Sequence, residues 1–67
     1  MNQEQREIIL SFGHYIDTLN RTATLAINDQ DYGKLQEIHQ ALRGTRISPC
    51  KTCLITALRD LYREANN

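Results

Sequence analysis

The stretch "ISPCKTCLITALRDLY", residues 47–62, decides the fold because it carries the clearest helix start in the chain. Ser48 is a preferred N-cap residue, and Pro49 suits the first helical position, where no backbone donor is needed. The spacing predicts a helix that runs from there to about Ala65. One face of this helix carries apolar or small residues: Cys50, Cys53, Leu54, Ala57, Leu58, Leu61 and Ala65. Such a face predicts an amphipathic helix packed on a helical core.

The N-terminal segment shows the same periodicity and predicts a first helix over residues 3–27. Its apolar face carries Ile8, Ile9, Phe12, Tyr15, Ile16, Leu19, Ala23, Ala26 and Ile27. The helix would be about 36 Å long, at about 1.5 Å per residue, and would overhang a globule whose radius of gyration is about 11 Å. We therefore expect that it bends or is covered by a second copy of the chain. Gly13, inside it, would let another helix approach closely.

A second helix is predicted over residues 31–43. Asp29 or Asp31 suits its N-cap, and Gly44 suits a left-handed C-terminal cap. Its buried line is Leu35, Ile38 and Leu42.

These segments predict an all-α fold: a small three-helix bundle with a long N-terminal helix, an αα-hairpin and a C-terminal helix. The bundle forms one domain over residues 1–67. A domain of about 60 residues buries only about 60% of its unfolded surface and is marginal alone. We expect self-association, as a homo-oligomer, to complete it.

The charge is balanced overall but unevenly distributed. Eight basic and eight acidic side chains give a net charge of zero, which disfavours a strongly electrostatic nucleic-acid binder. Residues 1–42 hold six acidic and three basic side chains, and residues 43–67 hold two acidic and five basic ones. The halves therefore carry −3 and +3, which indicates either pairing within the assembly or an anionic partner.

No signal-peptide pattern precedes the first apolar residues, and no run approaches the about 20 apolar residues of a membrane span. We therefore expect a soluble, cytoplasmic protein with no membrane partner. Most thiols stay reduced in that compartment, so a structural disulfide is not expected.

Cys50 and Cys53 permit three interpretations. They continue an apolar stripe, so they can be small buried core residues. They can be two ligands of a zinc ion, with His39 as a third or with a second chain supplying the rest. They can also be redox-active, because a helix N-terminus beside Lys51 stabilises a thiolate.

The segment "RGTRISPCK", residues 43–51, predicts an anion site at the start of the third helix. Helix N-termini attract phosphates, and Arg adds a bidentate grip. The candidate ligand-binding residues are Arg43, Thr45, Arg46, Ser48 and Lys51. A small phosphorylated molecule, such as a nucleotide, and DNA both suit this site.

The longer segment "ALRGTRISPCKTCLITAL", residues 41–58, resembles a helix-turn-helix unit. The residues that carry the resemblance are Ala41, Leu42, Gly44, Ile47, Ser48, Leu54 and Leu58. The resemblance implies that Lys51, Thr52, Thr56 and Arg59 face the DNA major groove.

Catalysis has little support, because no constellation of serine, histidine and acid and no glycine-rich phosphate loop is present. The sequence predicts a non-enzymatic oligomeric binding protein of an accessory, inhibitor or sequestering kind. Its partner would be a small anionic ligand or a protein. Two alternatives remain: a dimeric helix-turn-helix DNA binder, and a structural adaptor stabilised by zinc at Cys50 and Cys53. Zinc is the one cofactor that the sequence suggests.

Overall fold

The computed structural model describes residues Met1–Asn67 and contains four helical segments. These are α1 (Gln3–Ser11), α2 (Gly13–Thr22), α3 (Asp29–Arg43) and α4 (Lys51–Asn66). Segments α1 and α2 follow one another directly and occupy the place of the predicted first helix. The all-α, three-helix architecture is therefore confirmed, with a radius of gyration of 11.0 Å.

The predicted extent of the first helix, residues 3–27, is wrong, because the ladder of helical hydrogen bonds is interrupted at Phe12. The Phe12 N–H donates to the Ile9 carbonyl (3.0 Å), and the Tyr15 N–H donates to the Phe12 carbonyl (2.9 Å). These are tighter i→i−3 bonds, which mark a local departure from the α-helix. The interruption agrees with a bend, the first of the two outcomes expected for this helix, so the overhang no longer argues for a second copy.

Gly13 explains where the interruption falls. A Cβ atom added to Gly13 would lie 3.0 Å from the Tyr62 hydroxyl oxygen, so the end of this α4 side chain occupies the space beside Gly13. The sequence predicted a close approach of another helix at Gly13, whereas the structure places only the Tyr62 side chain there. Glycine is also a poor helix former, which weakens the helix at the same position.

The helix α2 ends at Thr22 rather than at residue 27. Ala23 adopts a left-handed conformation (φ 57°), and its N–H donates to the Leu19 carbonyl at 2.8 Å. The side chains of Thr18 and Thr22 bond to backbone carbonyls one turn earlier, which competes with regular helix. Residues 23–28 form the connection to α3 instead of a further helical turn.

The cap of α3 differs from the expected one. Asn28, not Asp29 or Asp31, is the N-cap, and its side chain accepts the Asp31 N–H at 2.8 Å. The Asp31 carboxylate instead accepts a hydrogen bond from the Tyr15 hydroxyl at 2.6 Å, joining α3 to α2. At the other end, Gly44 is the left-handed cap (φ 78°), as predicted.

The core is small and draws on every helix. Its ten buried apolar residues are Ile9, Phe12, Tyr15, Leu19, Leu35, Ile38, Ile47, Leu58, Leu61 and Ala65. The C-terminal part of the predicted α4 stripe is therefore buried as expected. No helix combines the length and the apolar character that crossing a bilayer requires.

One buried polar side chain holds the α3–α4 connection in place. Gln36 is only 3% exposed. Its Oε1 accepts the Ile47 N–H (2.7 Å), and its Nε2 donates to the Ile47 carbonyl (3.2 Å). Both backbone groups of Ile47 are satisfied by this one amide, which fixes the connection against α3.

Candidate functional site

The connection between α3 and α4, residues 44–50, forms one wall of an open groove, and α4 forms the other. The groove has a volume of about 430 Å³. Its polar lining residues are His39, Thr45, Arg46, Ser48, Thr52, Cys53, Thr56 and Asp60. We call this the α4 groove.

The wall is held at three points, so the groove has a defined shape. The Gly44 N–H donates to the Gln40 carbonyl at 2.9 Å, closing α3. His39 Nδ1–H donates to the Thr45 carbonyl at 2.6 Å. Gln36 holds Ile47, as described above. Residues on either side of Arg46 are therefore fixed, whereas the Arg46 side chain is exposed.

Arg43 does not belong to the groove, although the sequence grouped it with Arg46. Its Nη2 lies 2.6 Å from Glu64 Oε2, and this is the single ion pair in the chain. The Arg43 guanidinium lowers the pKa of the Glu64 carboxyl below its usual value. Arg43 therefore links α3 to α4, while Arg46 has no carboxylate partner in the chain.

Lys51 also lies apart from the groove. It lines a smaller hollow of about 240 Å³, together with Tyr32, Pro49 and Cys50. Ser48 borders both cavities. Of the five predicted ligand-binding residues, the structure brings together Thr45, Arg46 and Ser48.

The helix α4 begins later than predicted. Cys50, not Ser48, is the N-cap residue, and Pro49 precedes the cap instead of opening the helix. Cys50 has an extended backbone (φ −99°, ψ 136°), and its Sγ accepts the Cys53 N–H at 3.3 Å. Gln36 fixes Ile47 against α3. The three residues that follow, 48–50, connect Ile47 to the start of α4 at Lys51.

Both cysteines are free and exposed, so the interpretation of Cys50 and Cys53 as buried core residues is wrong. The helical periodicity does not apply to Cys50, because an N-cap residue lies outside the helix. Hydrogen bonds from the Cys53 thiol and the Cys53 N–H lower the pKa of Cys50. The hydrogen-bonding interaction of the Cys53 thiol with the Cys50 sulfur raises the pKa of Cys53.

The three candidate zinc ligands do not come together within one chain. No cluster of three or more His, Cys, Asp or Glu side chains has the geometry to hold a metal ion. His39 instead uses Nδ1 to hold Thr45. A site formed by thiolates from two chains stays a prediction.

The groove contains potential catalytic residue types, but they are not connected. His39, Cys53 and Asp60 all line it, yet no hydrogen bond joins any two of them. A nucleophile is normally activated by a base within hydrogen-bond reach. The arrangement offers donors and acceptors to a ligand, and it offers no assembled nucleophile and base.

A second polar surface lies along α4, on its exposed side. Thr52, Thr56, Arg59 and Arg63 are all exposed and recur at helical spacing along one face. Lys51 lies off this face. At its C-terminal end, a hollow of about 350 Å³ is bordered by Asn20, Arg59, Tyr62 and Arg63. We call this face the α4 ridge.

Comparison of the chain with protein-family models, with curated proteins and with solved structures gave no match.

Sequence reasoning missed the distal part of the α4 groove. Thr56 and Asp60 enter it because α4 runs alongside the connection, a tertiary relationship that local spacing does not reveal. It also missed Gln36, a polar residue between Leu35 and Glu37 on α3. The only available signal for Gln36 was its place beside Leu35 on the buried side of the helix.

Proposed function

We propose that this protein is a non-enzymatic binding protein that takes a small anionic ligand in the α4 groove. The observation that carries the proposal is Arg46, an exposed cation without an internal partner beside a groove bordered by hydroxyl groups. A guanidinium pairs with phosphate through parallel hydrogen bonds. The hydroxyls of Thr45, Ser48 and Thr52 add donors around it.

The opposite end of the groove indicates the ligand class. Asp60 and Thr56 can accept hydrogen bonds from hydroxyl or amino groups, and the Asp60 carboxylate repels a second anion there. The volume of about 430 Å³ falls within the range of small-molecule sites. A phosphorylated molecule with a polar body, such as a nucleoside monophosphate, therefore suits the groove better than an extended polyanion.

The test is calorimetric titration of the full chain with nucleoside monophosphates and with inorganic phosphate. Arg46→Glu is expected to abolish binding, because it replaces the cation by a carboxylate and leaves the helices intact. Arg21→Glu is the matched control, since Arg21 is exposed on α2 and outside the groove. Equal affinity of the Arg46→Glu variant and the wild type would contradict the proposal.

The α4 ridge favours a second candidate, a dimer that binds DNA through α4. What supports it is the alignment of Thr52, Thr56 and Arg59 on one exposed face, three of the four residues that the helix-turn-helix resemblance assigns to the major groove. Arg59→Ala separates the candidates, because Arg59 does not line the α4 groove. It should weaken binding to duplex DNA and leave nucleotide binding unchanged.

The proposed setting is the cytoplasm, with the chain acting as a homo-oligomer in an accessory or sequestering role. The support is the small core: 11 of 67 residues are buried, and the remainder of the apolar side chains are only partly covered. Domains of this size commonly gain stability from a partner chain.

A further inference from the structure

Two free thiols lie exposed at the start of α4, and the function proposed above assigns no role to either, although Cys53 borders the α4 groove. Cys50 caps the helix, and Cys53 sits in its first turn. The 3.3 Å bond from the Cys53 N–H to Cys50 Sγ places the first sulfur directly beside the backbone of the second cysteine. Neither thiol is covered by other side chains, so both are accessible to a reagent in solution.

The two thiols have different surroundings. Cys50 Sγ accepts the Cys53 N–H at 3.3 Å in the first turn of α4, an arrangement that favours the Cys50 thiolate and agrees with its lowered pKa. Cys53 donates its thiol proton toward Cys50 and keeps that proton more tightly. A pair with one readily ionised sulfur and one protonated neighbour suits stepwise exchange, in which the thiolate attacks first.

We propose that Cys50 and Cys53 form a thiol–disulfide exchange pair, with Cys50 as the attacking thiol and Cys53 as the resolving thiol. The oxidant is a low-molecular-weight disulfide. The Cys50 thiolate attacks one sulfur of that disulfide, forms a mixed disulfide and releases one thiolate. Cys53 then loses its proton, attacks Cys50 Sγ and releases the second thiolate. The protein loses two hydrogen atoms, and the small disulfide is reduced to two thiols.

The fold permits the resulting Cys50–Cys53 bond. Cys50 is the N-cap residue with an extended backbone, so its side chain can rotate while its carbonyl keeps the hydrogen bond from the Leu54 N–H at 3.0 Å. Cys53 is exposed and free to change its side-chain rotamer. The helix from Leu54 onward is anchored separately by Leu58, Leu61 and Ala65 in the core.

The experiment treats the reduced full chain with excess oxidised glutathione in the presence of a metal chelator and follows intact mass. The wild type is expected to lose two hydrogen atoms and retain no glutathione. Cys53→Ser should accumulate one glutathione on Cys50. Cys50→Ser should acquire glutathione on Cys53 severalfold more slowly. Serine remains a good N-cap, so the Cys50→Ser variant keeps the start of α4, and circular dichroism verifies the helicity of both variants.

Three results would overturn the proposal. The first is a wild type that retains glutathione on both cysteines without an internal disulfide. The second is equal reaction rates for the Cys50→Ser and Cys53→Ser variants. The third is a disulfide that forms only between chains. None of these depends on ligand binding at Arg46, so the outcome is independent of the function proposed above.

Discussion

Gln36 shows how one residue determines the shape of the candidate site. Its amide satisfies both backbone groups of Ile47 and also donates to the Tyr32 hydroxyl at 2.8 Å. Loss of a partner leaves a buried polar group unsatisfied, which costs far more than the net gain of an average hydrogen bond.

Gln36→Leu is therefore expected to lower the free energy of unfolding by about 1–3 kcal/mol, because the Ile47 N–H and carbonyl lose their partner. Urea unfolding followed by circular dichroism measures this change. Gln40→Leu is the control on the same helix, since Gln40 is exposed. A Gln36→Leu variant as stable as the Gln40→Leu variant would show that the amide does not hold the connection.

The Tyr15–Asp31 hydrogen bond predicts a pH dependence at the alkaline end. The bond to the carboxylate, together with burial, raises the pKa of Tyr15 above its ordinary value. Only the neutral phenol donates, so the stabilisation is complete below the unfolded-state pKa of about 10 and is lost as the pH rises through the folded-state pKa.

Tyr15→Phe is expected to remove most of this alkaline loss of stability while lowering stability at neutral pH. Thermal unfolding of both proteins between neutral and strongly alkaline pH provides the measurement. Parallel curves for the two proteins would mean that other groups cause the dependence.

At the scale of the elements, two glycines provide a matched comparison. A Cβ added to Gly33 in α3 meets nothing within 4 Å, whereas one added to Gly13 lies 3.0 Å from the Tyr62 hydroxyl. Gly33→Ala should therefore raise the free energy of unfolding by about 0.5–1 kcal/mol through helix propensity.

Gly13→Ala should yield a smaller gain or a loss, because Tyr62 must shift to accept the new methyl group. Chemical denaturation of the two variants compares them directly. An equal gain from both substitutions would contradict the close contact between Gly13 and the Tyr62 side chain.

The elements also show which features were accessible from the sequence. Periodicity located α3 and the buried residues Leu58, Leu61 and Ala65, and the φ requirement of a C-terminal cap located Gly44. The break at Phe12 was only partly accessible, because Gly13 weakens the helix there while the apolar stripe continues through it. The role of Cys50 as the N-cap of α4 was missed, because Ser48 and Pro49 form a favourable helix start in the sequence. The hydrogen bonds between Gln36 and Ile47, which hold the preceding residue, are not visible there.

For the candidate site, the same distinction holds. Thr45, Arg46 and Ser48 are close in the chain, so their proximity could be predicted from the segment itself. Arg43 was assigned wrongly because its partner, Glu64, lies in a different helix. Thr56 and Asp60 join the α4 groove only through the packing of α4 beside the connection.

At the scale of the whole molecule, the number of chains is a prediction from size. The bend at Phe12 removes the argument from helix length, and Met1 is the one large hydrophobic residue that is exposed. Native mass spectrometry is expected to show a homo-oligomer, because the core of ten buried apolar residues is small. A monomer at every concentration would contradict this expectation, and an oligomer that carries zinc would support thiolates shared between chains.

Binding of an anionic ligand in the α4 groove can be measured residue by residue through chemical-shift mapping by nuclear magnetic resonance. A nucleoside monophosphate is titrated into the isotopically labelled full chain. We expect the amide signals of Thr45, Arg46, Ser48 and Thr52 to shift in a saturable manner, and the shifts to vanish in the Arg46→Glu variant. An unchanged spectrum, or shifts confined to Arg59 and Arg63 on the α4 ridge, would contradict it.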